Sequence, residues 1–149
     1  MKPISLRIIV VLVGLLLLTT AAPLAAADSA LGGTNWVLST LNGQLPLAGT
    51  SISLQLNEDG SATGSDGCNR FSTTYTASRS TIAFEPAATT MMACPQAVAT
   101  QATDFMAALS AAKRYQVRGG HFPLPNGQTV PATLISPKEK TGGEHREGA

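Results

Sequence analysis

The chain has 149 residues, 44% of them hydrophobic and only 5% aromatic, and ten Lys and Arg against nine Asp and Glu leave a formal charge of +1. So neutral a surface excludes nucleic-acid binding driven by counterion release and offers no polybasic patch to anionic lipid. Two cysteines are too few for a thiolate zinc cluster, and their even number suits a single disulfide.

Lys2 and Arg7 lead into an apolar run over residues 8–18 that is broken only by Gly14, and Ala25 and Ala27 then form an A-x-A site. This pattern predicts a signal peptide over residues 1–27, cleaved before Asp28, because the run is short of the roughly 20 residues a membrane span needs. Its removal takes two cations and no anion, moving the formal charge from +1 to −1. No cysteine adjoins the cleavage point, so the mature chain is expected to be secreted or periplasmic, without a lipid anchor or a membrane span. At the other end, residues 137–149 carry mixed charge and glycine without apolar periodicity, and they read as a disordered polar tail. One domain over residues 28–136 remains, large enough for a single core.

Within that domain, TNWVLSTL predicts a strand with Trp36, Leu38 and Thr40 on its inner face, and SISLQL a second with Ile52, Leu54 and Leu56 inward. The NEDG turn leads to a return strand, SATGS, whose small residues place Ala62 and Gly64 where a backbone or large side chain comes close. TTYTAS and STIAFE predict a hairpin turning at Ser78 and Arg79, with Tyr75, Ile82 and Phe84 inward. From Gln96 to Arg114 the residues Val98, Ala102, Phe105, Leu109 and Ala112 form a helical stripe. Pro95 suits its start, and Lys113 and Arg114 its C-terminal end. A strand YQVR, a Gly119-Gly120 turn, a second strand, a Pro125-Asn126-Gly127 turn and a last strand follow. Pro123 and Pro131 confine these strands to an edge or to bulges. The predicted fold is mainly β, a β-rich α+β architecture: an antiparallel sheet curled toward a partial barrel, with one α-helix inserted after the fifth strand.

The stretch GSDGCNRF, residues 64–71, combines glycine, acid, thiol and amide. It lacks the Gly-Lys-Ser/Thr ending of a phosphate loop, and Asn57, Asp59 and Asp66 are wrongly spaced for a calcium loop. With His145 in the tail, His121 and the two thiols cannot complete a zinc site. Cys68 as a nucleophile with His121 as base is arithmetically possible. In an exported protein, Cys68 and Cys94 are more simply two halves of a structural disulfide, and His121 an ordinary strand residue. No catalytic residue, metal or cofactor is therefore assigned.

The elements LGGTNWVLSTLNG, GCNRFSTTYT, STIAFEPAATTMMACPQ and FMAALSAAKRY, in this order and over residues 31–135, resemble the META domain, the HslJ-like family of small bacterial envelope and stress-associated proteins. The resemblance implies a compact β-rich fold, a curled antiparallel sheet with one helix, and no established enzymatic activity or cofactor. Trp36 would be the family's tryptophan, Gly67, Cys68 and Asn69 its G-C-N, and Thr90, Met92, Ala93 and Cys94 its T-x-M-A-C. The sequence thus points to a non-enzymatic extracytoplasmic module of the cell envelope, stress-associated or accessory, that binds a protein partner or supports stress tolerance. The alternatives are a carrier of a small apolar ligand or lipid, for which Met91, Met92, Phe105 and Met106 would line a groove, and an unrecognised hydrolase. Asn69, Arg70 and Met91, with the neighbouring residues 89–92, form the candidate ligand rim.

Overall fold

In the computed structural model the described residues are 31–126, 129 and 131–137. The predicted signal peptide, Gly127 of the Pro125-Asn126-Gly127 turn, and all of the predicted tail except Pro137 lie outside them. The strands are β1 (Thr34–Leu41), β2 (Ile52–Leu56), β3 (Ser61–Asp66), β4 (Arg70–Ser78), β5 (Thr81–Phe84), β6 (Ala88–Thr89), β7 (His121–Leu124) and β8 (Ala132–Ile135). The helix α1 (Gln96–Ala111) follows β6. All pairings are antiparallel, in the order β5-β4-β3-β2-β1-β8-β7, with the two-residue β6 beside β5 on the same flank of β4. The helix therefore comes after the fifth strand as expected, separated from it by β6, whose two residues are too few to show period-two alternation.

The sheet curls around α1, which packs at once on β3, β5 and β8. Residues 113–115 draw the two edges together: Ile82 N donates to Lys113 O (3.2 Å), Tyr115 N to Ser80 O (2.9 Å) and Lys113 N to Pro125 O (3.4 Å). YQVR, expected as a strand, forms none: Tyr115 belongs to this strap and Arg118 to the turn before β7. Lys113 and Arg114 lie beyond the helix, which stops at Ala111 with Ala112 already extended (ψ 130°). The Gly119-Gly120 turn does form, both residues having positive φ, with Arg118 and His121 exchanging backbone bonds across it. Pro123 lies on β7, an edge strand that tolerates its missing donor, and Pro131 falls just before β8.

Period-two alternation builds the core. On β4, Phe71, Thr73, Tyr75 and Ala77 point inward and Ser72, Thr74, Thr76 and Ser78 outward. Trp36 stacks on Phe122 (4.8 Å between centroids), and Phe71 meets Phe105 of the helix (6.1 Å). Thr40 is not an inner-face residue. The β1–β8 register shifts between Leu38 and Thr40, so a bulge changes the phase of the strand and buries Leu41 instead.

Gly64 has the close approach expected of it. A Cβ there would overlap the Ser53 carbonyl oxygen and come within 2.8 Å of the Phe71 ring. Gly64→Ala should therefore destabilise the fold by about 3 kcal/mol, the upper end for overpacking, read as a lowered urea midpoint. Because the clash is shared with Phe71, the loss in Gly64→Ala/Phe71→Leu should be smaller than the sum of the single losses.

Tyr75, buried on β4, donates its phenol to Asn57 O at 3.0 Å. Burial raises its pKa above the usual 10.0, with the nearby Asp59 charge adding to the effect. A raised folded-state pKa contributes stability that is present below pH ~10 and lost as pH climbs through the folded value. Tyr75→Phe should flatten this alkaline limb in pH-dependent denaturation, while the wild type loses stability there.

Candidate functional site

The stretch that reads as a loop is mostly strand. Residues up to Asp66 belong to β3 and those from Arg70 to β4, leaving Gly67, Cys68 and Asn69 as the turn. Asp66 is buried at the end of β3, and its Oδ1 accepts from the N–H groups of Cys68 (2.9 Å) and Asn69 (2.5 Å). Gly67 takes φ +93°, in the left-handed region, and a Cβ on it would meet Ile52 Cγ1 at 3.1 Å. Asp66 N closes the turn on Asn69 O (3.0 Å).

This turn is joined to the segment before the helix. Cys68 and Cys94 form a disulfide across 26 residues, with their Cα atoms 6.1 Å apart. Asn69 Oδ1 accepts from Met92 N (2.8 Å) and Thr90 Oγ1 (3.2 Å), while Thr90 Oγ1 accepts from Arg70 N (3.1 Å) and Thr90 N donates to Arg70 O (3.0 Å). Residues 88–93 are all exposed, so these bonds and the disulfide hold them rather than burial. Met91 is 97% exposed and Met92 66%.

A groove of about 490 Å³ opens between α1 and residues 84–92. Phe84, Ala102, Met106 and Leu109 form its apolar floor, and Asp66, Asn69, Glu85 and Met92 lie around it. The structure separates the three residues of the predicted rim. Asn69 lines this groove, Arg70 lines a different one on the outer sheet face with Val37, Ser53 and Ser65, and Met91 projects into solvent. Phe105 is fully buried in the core, whereas Met92 and Met106 border the groove.

Trp36 lies far from this end in role: its indole N–H donates to Thr34 Oγ1 (2.8 Å) while its ring packs in the core. Ala93 is exposed beside the disulfide. The sulfur of Cys68 is bonded to Cys94, and His121 is exposed on β7. Asn57 and Asp59 serve the β2–β3 turn through Ser61, at the opposite end of β3 from Asp66. Among the described residues no three His, Cys, Asp or Glu side chains gather as metal ligands.

Sequence reasoning missed Gln101. It is buried on α1, accepts from Leu47 N through Oε1 (2.7 Å) and donates from Nε2 to Thr50 Oγ1 (3.0 Å), pinning the loop between β1 and β2 to the helix. Its spacing, three after Val98 and four before Phe105, places it on the inner stripe, and that was the available signal.

The META domain profile matches residues 29–138. The chain belongs to the META-domain family. Two solved structures are similar to this META domain. One, described only as an NMR structure of a protein, has a TM-score of 0.59 at 19% identity over 72% of this chain and 92% of that chain, and so shares the fold. An NMR structure of a protein from Burkholderia xenovorans gives 0.53 at 28% identity over 70% and 81%. No curated protein matches the chain. Among the described residues no helix of this META-domain chain is long and apolar enough to cross a membrane. Its disulfide is of the kind that persists in oxidising compartments.

Closing a loop of this span stabilises the fold by about 3.5 kcal/mol in the chain-entropy account, a large part of the about 5–15 kcal/mol a domain possesses. Cys68→Ser and Cys94→Ser should each lower the melting temperature by a similar amount, and the double variant should be little worse than either. Asn69→Ala should cost about 1–2 kcal/mol and accelerate hydrogen exchange at the Met92 amide, leaving core amides protected.

Proposed function

We propose that this protein is a non-enzymatic, extracytoplasmic accessory binding module of the cell envelope, engaging a protein partner through the disulfide end of the fold. One observation carries this reading. Met91 and Met92 expose large, adaptable thioether side chains on a segment fixed by a disulfide and by two hydrogen bonds to Asn69. Exposed apolar side chains on a rigid support favour association, because their burial gains contact while little backbone entropy is lost. The disulfide and the predicted signal peptide support placement outside the cytoplasm. A carrier for a small apolar ligand is the second reading. The concave face of the sheet is filled by Phe105, Leu109 and Phe122, so such a ligand would have to use the surface groove floored by Met106.

A photo-crosslinking side chain at position 91, introduced in cells exporting the full chain, should capture a protein that the same group at exposed Thr76 does not. With that partner purified, Met91→Ser/Met92→Ser should weaken binding about tenfold or more, with an unchanged melting temperature because neither side chain is buried. Equal capture at both positions, or undiminished binding by the double variant, would contradict the reading.

A further inference from the structure

The hydrogen-bond parity of β4 leaves a strand edge open beside the groove. On one flank, Asp66 N donates to Asn69 O and Tyr75 N to Gly60 O, so the odd-numbered residues of β4 bond toward β3. On the other flank, Thr90 N donates to Arg70 O and Glu85 N to Thr74 O, so the even-numbered residues bond toward β6 and β5. Bonded and non-bonded pairs alternate in an antiparallel ladder, which makes Ser72–Ala88 a bonded pair and Phe71–Thr89 a non-bonded one. The N–H and C=O of Thr89 therefore turn away from β4, and Thr89 lines the groove. Thr89 makes no backbone hydrogen bond across this open side to another described residue.

We infer that the groove between β6 and α1 receives an extended segment of a partner protein, which pairs as an added strand at Thr89 and places a basic side chain against Glu85. This rests on the accessory-module reading above and names the chemistry of what it binds. Alternate side chains of an added strand point to opposite faces, so one set would enter the apolar floor at Met106 and Leu109 while the other stays in solvent. Glu85 is exposed at the groove, and no Lys, Arg or His lines it, so a cation on the incoming segment is the complementary charge. Main-chain bonding explains how so short an edge can hold a peptide: Asn69 and the Cys68–Cys94 bridge fix the segment after β6 before anything binds.

The test uses the full exported chain and a library of capped peptides about eight residues long, long enough to cover the edge and its flanks. The tightest peptides should carry alternating apolar residues with Lys or Arg, and should shift the amide resonances of Ala87, Thr89 and Met106. Methylating successive peptide nitrogens one at a time should weaken binding about tenfold at one parity and leave the other parity nearly unchanged, the signature of strand pairing. Thr89→Pro removes an N–H that the ladder to β4 does not use, and should abolish binding with the fold intact. Glu85→Lys should weaken basic peptides about fivefold or more without touching the edge. The inference is overturned if no library peptide binds more tightly than about 1 mM, if N-methylation acts without regard to parity, or if resonance shifts stay at Met91 and Met92. A partner captured at position 91 whose affinity survives both Thr89→Pro and Glu85→Lys would leave the accessory reading standing and remove strand addition.

Discussion

Burial of Phe71 against the bare backbone of Gly64 sets the register of β4, and the arrangement of the disulfide end follows from that register. The ring occupies the space a side chain at position 64 would need and continues to Phe105, coupling β3, β4 and α1 at one point. With Phe71 inward, Arg70 must point outward and Asn69 must fall at the turn, where its Oδ1 reaches Met92 N. A slip of one residue would expose Phe71 and Tyr75 and bury Arg70 and Thr74, so the alternative register is heavily penalised. The same parity decides which peptide groups of β4 serve β3 and which serve β6.

Closure of the sheet rests on a different device. Both edges of the main sheet path are short strands, β5 and β7, and the chain leaving α1 is used as a strap between them. Lys113 bonds Ile82 and Pro125 through its backbone, so its charge remains free for solvent while its main chain satisfies the edge. Pro123 denies β7 a donor on an edge where a complete row of donors would invite pairing with another chain. The outer face of β4, made of Ser72, Thr74, Thr76 and Ser78, keeps the surface wet with hydroxyls where charges are few.

Much of this could be read from residue periodicity, and the failures have physical causes. Alternation in ISLQL and in TYTAS identifies the inner faces of β2 and of the end of β4 because nothing interrupts it. The bulge in β1 leaves no compositional mark, and one extra residue was enough to exchange Thr40 for Leu41. Phe71 was hidden because glycine, aspartate and asparagine around Cys68 are turn formers in any context, whereas here they occupy strand ends and a three-residue turn. The helix stripe extends through Ala112, which is buried in an extended conformation, so the apolar period continues after the helical hydrogen bonds have stopped. At the site, the cysteine pair was legible from count and compartment. The separation of Arg70 from Asn69 was not, because adjacent residues part only once the register of β4 is known.

Two kinds of force therefore hold two parts of the molecule. The sheet and α1 depend on apolar burial, in which a lost methylene or an added one is felt throughout the packed interior. Residues 88–93 bury almost nothing and depend on directional bonds: one disulfide, the Asn69 acceptor and the Thr90–Arg70 pairing. Side chains at positions 91 and 92 can then change in size and polarity at little cost to stability, since their backbone is fixed without them. A surface supported in this way can alter its chemistry while its shape is kept, which suits a binding segment better than a catalytic one that must hold side chains as well as backbone in place.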